Sequence, residues 1–276
     1  STAGAAAAMA SIFGNPLVAA VMLMEIVGVG GPQLFAVMLP ALLSSGIGSL
    51  VFTGFGRWTG LEAGGLRVKP GVAFGRLDTG DVVWGILLAV LVGLGVYAIQ
   101  YGGRLTALRV AERTVPRTAV FGLLAGGCAA VYAVTTGRPP ADVASSGQAT
   151  LAELTASPQA WGVGALVAVL LCKGVGYGVC LGSLRGGPIF PALFLGAAAG
   201  VLLAPLPGLG VGAGLAAGMS AASTAALRLP VSSVLLVVLV LGSTAMIPVA
   251  ILASVVAFVT VELLPKGPAV PLQQRA

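Results

Sequence analysis

Few residues in this 276-residue chain can do chemistry. There is no histidine, and Cys128, Cys172 and Cys180 sit in apolar stretches without metal-ligand spacing. That pattern argues against a zinc site, a disulfide framework and histidine-based catalysis, and no metal or cofactor is expected. The cysteines read as small apolar packing residues. An intramembrane enzyme, such as an acyl or glycosyl transferase, would need paired acids or a histidine at membrane depth, and the sequence supplies neither. What remains is a stretch of glycines and prolines, GSLRGGPIFPALFLGAAAG, at residues 182–200. A helix starting near Pro188 or Ile189 has first-turn N–H groups without intrahelical acceptors. Proline suits that position because it needs no donor and its φ is already helical. Gly186 and Gly187 let a ligand come close to the backbone. The peptide dipoles place partial positive charge at this end, so the chemistry on offer is reversible anion binding. The alternative is an ordinary Gly-Pro turn between helices.

The elements that must hold this stretch are apolar. The chain is 58% hydrophobic and 8% charged, which predicts an integral membrane protein. Its 42 glycines suit helices packed through small residues. The net charge of +6 is dispersed, with no basic stripe and interleaved aromatics, so no nucleic-acid partner is expected. Apolar blocks fall at about 4–25, 33–56, 82–103, 118–136, 160–181, 188–204, 210–227 and 231–264. Some are too short or too broken by Gly and Pro to span a bilayer, and the last is too long for one simple span. Broken helices that stop inside the bilayer are tolerated where protein or a water-filled cavity surrounds them, which points to a transport site.

Loop charge gives an orientation. Residues 57–81 hold Arg57, Arg67, Lys69 and Arg76 against Glu62, Asp78 and Asp81; residues 138–158 hold Arg138 against Asp142 and Glu153. Between them, the expected loop 104–117 holds Arg104, Arg109, Arg113 and Arg117 against Glu112 alone, which places it in the cytoplasm and its neighbours outside. A weak internal repeat relates residues 5–51 to residues 216–261. Each has a small-residue helix, a proline (Pro16, Pro230), an apolar helix, a short Gly-containing break and a long apolar span. The first residues, STAGAAAAMASIF, lack an initiator Met and a basic n-region, and read as the interior of a helix cut from a longer parent.

The stretch LGSLRGGPIFPALFLGAAAG resembles the Gly-x-Phe-x-Pro segment of the CLC family of chloride channels and chloride/proton exchangers. LCKGVGYGVCLGS resembles the family's preceding helix, with Lys173 at its usual lysine. GAAAAMASIFGNPLVAAVMLMEIV and AAGMSAASTAALRLPVSSVLLVVLVL resemble the paired short helices of the family's two halves. The resemblance runs from about Ala3 to Ala269. It implies an all-α polytopic membrane protein with a CLC-type inverted-repeat fold of broken and re-entrant helices. Residues 1–56 would end the first repeat, 57–82 would be an extracellular linker, and 83–276 would form the second repeat. It also implies transport of chloride or a similar small anion, passive or proton-coupled, with Gly186, Gly187, Ile189, Phe190 and Pro191 building one wall of the site. The partners implied are the lipid bilayer of the cell membrane and a second copy of the chain. The homodimer would pair through helices near 16–25, 34–55, 231–241 and 246–262.

Departures from the family pattern carry their own expectations. Gly187 is followed by Pro188-Ile189-Phe190-Pro191, so Phe190 is one place late and Ile189 supplies the amide credited to the family's Phe. The family's Ser-containing loop and its Gly-Arg-Glu-Gly-Pro loop do not occur and are expected upstream of Ser1. Val270 stands near the position of the family's late Tyr, and no room for regulatory domains is left after Ala276. These gaps keep open a truncated or non-conducting subunit. Glu25 stands where the exchangers carry an acidic pair, so it is a candidate for the proton pathway or a solvated helix-end acid. The proton-linked member aligns better with Ile26. Lys173 lies within an apolar helix, where charge is costly. It either snorkels or pairs with helix-end carbonyls, or it attracts the anion electrostatically. Arg185 and Arg228 read as interfacial anchors.

Overall fold

The computed structural model describes residues 2–28, 32–59, 68, 70–72, 74–184 and 186–268. Among them the regular elements are helices: α1 (Thr2–Phe13), α2 (Pro16–Val27), α3 (Pro32–Thr59), α4 (Thr79–Glu112), α5 (Thr114–Thr136), α6 (Ala141–Ala144), α7 (Gln148–Ala156), α8 (Val163–Ser183), α9 (Ile189–Leu203), α10 (Val211–Leu227), α11 (Pro230–Leu241) and α12 (Ile247–Glu262). Short 3-10 turns occur at Pro158–Ala160 and Thr244–Met246. Five helical stretches among the described residues are long and apolar enough to cross a bilayer, in α3, α4, α5, α8 and Thr244–Glu262. Helices α1, α2, α9, α10 and α11 have only 12 to 17 residues. At 1.5 Å per residue they reach about 18–26 Å. That falls short of a hydrocarbon core of about 30 Å.

The chain divides into two compact units, Ser1–Arg67 with Leu229–Gly242, and Val68–Arg228 with Ser243–Ala276. In the first, α1, α2 and α3 pack on one another and α11 packs on α2. Ala6, Leu23 and Ala41 form its buried centre. Helix α2 has clear start and stop signals. Asn15 accepts from the N–H groups of Leu17 (2.9 Å) and Val18 (3.3 Å), Pro16 occupies the first helical position, and Gly28 closes the helix at φ 61°. Helix α11 repeats the scheme, with Pro230 at its start and Gly242 at φ 66° at its end.

In the second unit α4 is central, packing on α8, α10 and α12. Helices α9 and α10 touch backbone to backbone. A Cβ built on Gly196 would lie 2.2 Å from the Gly218 carbonyl oxygen, and one on Gly200 would lie 2.1 Å from that of Gly214. Small residues four apart allow this approach in a membrane, where tight van der Waals packing drives helix association.

The expected loop at 104–117 is corrected. Helix α4 is 34 residues long and runs through Arg104 and Arg109 to Glu112, and α5 follows after Arg113 alone. Its length of about 51 Å exceeds the hydrocarbon core, so the arginines ride on a projecting helix end. Across the turn, Arg117 pairs with Glu112 at 2.5 Å. The long block at 231–264 resolves into α11, the break at Gly242 and α12. Arg228 ends α10 at φ 60° and pairs with Glu262 at 2.6 Å. Arg185, Glu62, Arg67, Lys69 and Val270 lie outside the described residues.

Candidate functional site

The opening of α9 is shaped by residues 184 and 186–191. Leu184 is extended, with φ −123° and ψ 155°, and ends α8. Pro188 flanks α9 with φ −79° and ψ −16°, and Ile189 is the first helical residue. Tyr177, on α8 and largely buried, donates its hydroxyl to the Pro188 carbonyl at 3.0 Å. This bond ties the start of α9 to the preceding helix.

A cavity of about 320 Å³ opens at this point. Gly186, Gly187, Phe190 and Pro191 line it from the α9 side, and Lys173, Gly176, Tyr177 and Cys180 line it from α8. Ser145 and Ser146, in the turn between α6 and α7, complete much of the wall. A Cβ on Gly186 or on Gly187 would meet nothing within 4 Å, so both glycines border open space. The cavity thus brings together Gly186, Gly187, Phe190, Pro191 and Lys173. Ile189 starts the helix but is not among the lining residues.

Lys173 is 1% exposed, and its ammonium donates to the carbonyls of Asp142 (2.8 Å), Val143 (3.2 Å) and Ser145 (3.0 Å). An ammonium has three protons, and these three acceptors use them all. Lys173 therefore pairs with helix-end carbonyls, at the C-terminus of α6, where a cation also complements the helix dipole. Its Nζ lies 5.1 Å from the centre of the Phe194 ring of α9. The next turn is equally constrained. Gly147 has φ 94°, and a Cβ there would lie 3.1 Å from Phe194 Cβ and 3.3 Å from Lys173 Cε.

Behind this turn is a polar cluster. Asp142 is buried and accepts from the Tyr132 hydroxyl (3.1 Å) and Arg138 Nε (3.1 Å), while Arg138 Nη2 donates to Glu153 at 2.5 Å. Partial burial opposes the Arg138 charge, but the bonds to Glu153 and Asp142 outweigh it and raise its pKa above the ordinary value. The guanidinium stacks on Trp161, 3.5 Å from the ring centre, and Trp161 meets Phe194 edge-on.

Glu25 belongs to the other unit. Its carboxylate accepts from the amides of Val231 (3.0 Å) and Ser232 (2.8 Å) and from the Ser232 hydroxyl (2.5 Å). From the last turn of α2, where it stays half-exposed, it closes the N-terminus of α11.

Sequence reasoning missed Tyr177, Ser145 and Ser146. Tyr177 had one readable signal: it follows Lys173 by four residues, so both polar side chains lie on one face of an apolar helix. The serines sit some 40 residues from Gly187 and carry no local mark of that proximity.

Residues 1–262 match the sequence profile of a family described as voltage gated chloride channel. The chain belongs to the CLC family. A solved structure described as a CLC-type fluoride/proton antiporter matches with a TM-score of 0.52 and 18% identity, over 90% of this chain. At that identity the likeness shows a shared fold. The match covers 58% of the antiporter chain, so this chain spans little more than half of that relative's length. Among curated proteins no sequence matches it. Family membership and the apolar helices together make it an all-α, multi-pass membrane protein of CLC type.

Proposed function

We propose that this CLC-family chain carries chloride or a similar small anion across the cell membrane, through the cavity at the start of α9. The observation that carries the reading is the cavity itself. A helix too short to span a bilayer begins at a void lined by Gly186, Gly187, Phe190 and Pro191. Helix-start amides and dipole favour an anion there, while partial charges let it leave again. The buried ammonium of Lys173 adds positive potential without spending a proton on the ligand. No acid lines the cavity among the described residues.

Three further elements belong to the same proposal. The domain reading is two related repeats, residues 1–56 and 83–276, joined by an extracellular linker. It is supported by the matched reversals Gly14-Asn15-Pro16 and Arg228-Leu229-Pro230, whose first residues have φ 64° and 60°. The projecting arginines of α4 face the cytoplasm, and a cysteine introduced at exposed Ala111 should react with an impermeant reagent only from that side. The functional assembly is a homodimer.

The deciding experiment is anion flux from liposomes containing the full-length protein, with proton movement followed in parallel. Flux of chloride, fluoride or nitrate supports the reading, and no flux of any small anion overturns it. Glu25 has two candidate roles, proton carrier and helix cap. Its three hydrogen bonds to α11 favour the cap. Loss of proton movement with persistent anion flux in Glu25→Gln would make it a carrier.

A further inference from the structure

Two separate segments of the cavity wall are held by one face of α8. Lys173 bonds the carbonyls of Asp142, Val143 and Ser145, in the segment that carries Ser145 and Ser146 to the cavity. Tyr177, one turn further along, bonds the carbonyl of Pro188, which follows Gly186 and Gly187 directly. Both side chains are largely buried. The wall segments are also braced against each other: Gly147 packs on Phe194 of α9 so closely that a Cβ there would lie 3.1 Å from Phe194 Cβ. A residue pair at i and i+4 on a rigid helix therefore fixes the position of both segments.

We infer that Lys173 and Tyr177 are positioning residues that set the width of this cavity and so discriminate among anions by size. The inference rests on the cavity being the anion path. With both grips intact, the glycine-lined side and the serine-lined side stay at a fixed separation, and an anion is accepted if it fits between them. If one grip is released, the start of α9 can recede from Ser145 and Ser146. Larger polyatomic anions should gain relative to chloride, and chloride itself should be held less well because fewer dipoles reach it at once. Maximal flux should change less than apparent affinity, because the amides remain in place. A role in stability alone would lower the amount of active protein and leave the ratio between anions untouched.

The test compares wild type, Tyr177→Phe and Lys173→Arg as full-length protein in liposomes. The readouts are flux of nitrate and thiocyanate relative to chloride, and the chloride concentration for half-maximal flux. Tyr177→Phe keeps the ring and removes the single bond to Pro188. The expected result is a rise of roughly three- to tenfold in the nitrate-to-chloride and thiocyanate-to-chloride ratios, the range one hydrogen bond commands, with a parallel rise in half-maximal concentration. Lys173→Arg keeps the charge but cannot place its planar fork on three converging carbonyls, and should shift the ratios the same way. It serves as the deciding variant if Tyr177→Phe fails to give a monodisperse protein. Wild-type flux with ratios unchanged in a folded variant overturns the inference and leaves the transport reading standing. Absence of flux in wild type overturns the transport reading instead.

Discussion

Two short helices, α11 and α9, start beside a proline, and the protein treats their N-termini in opposite ways. At α11 the carboxylate of Glu25 takes the amides of Val231 and Ser232 and the Ser232 hydroxyl. The helix carries its counter-charge within the chain. At α9 no lining residue among those described is acidic, and the helix start faces a cavity bounded by Gly186 and Gly187. The same backbone device meets a carboxylate in one unit and a cavity without an acidic lining residue among those described in the other. The presence or absence of one carboxylate separates a structural joint from a candidate binding site.

The comparison can be broken most forcefully at Gly187. Its Cβ position is open space, so Gly187→Val should fold, fill part of the cavity and reduce anion flux to background. Wild-type flux in that variant would remove the α9 start from the anion path. Next in size is Glu25→Ala, which leaves α11 uncapped. Loss of charge-assisted hydrogen bonds should lower stability by about 1–3 kcal/mol, discounted because Glu25 is half-exposed. The open end should then respond to added anion. Chloride should raise the thermal midpoint of Glu25→Ala more than that of wild type, and equal shifts would break the parallel between the two N-termini. Phe190→Leu should be milder, with flux and chloride affinity close to wild type, because backbone groups make the contact. A loss as large as that of Gly187→Val would make the Phe190 ring a functional element. The smallest effect is expected at Arg228→Ala. Its pair with Glu262 is largely exposed, so less than about 1 kcal/mol should be lost and flux should persist.

The architecture was legible where the signals are local. Pro16 and Pro230 mark helix starts because proline is favoured in the first turn, although Pro40 stands inside α3, and Gly28 and Gly242 mark ends because their φ is positive. The candidate stretch was legible for the same reason: Gly186, Gly187 and Pro188 interrupt an apolar run. The end of α4 was misread from hydropathy. Polarity rises at Arg104, but residues 104–112 are rich in Leu, Ala and Arg, which favour helix, and a helix leaving the bilayer has no reason to stop at its surface. The role of Lys173 was readable only as a choice, since its carbonyl partners come from residues 142–145 and are set by tertiary packing. The cap formed by Glu25 spans more than 200 residues of sequence and has no local trace at all.

The close approach of α9 and α10 has a kinematic consequence. Where Gly196 and Gly200 meet Gly218 and Gly214, none of these four residues has a side chain to hold the two backbones apart. Sliding one helix along the other would drive Cα atoms into carbonyl oxygens, and separating them would open an unfilled gap. The pair therefore travels as a single stiff body. A displacement of α9 at the cavity therefore has to carry α10 with it, so the glycine-lined wall moves as two helices rather than one.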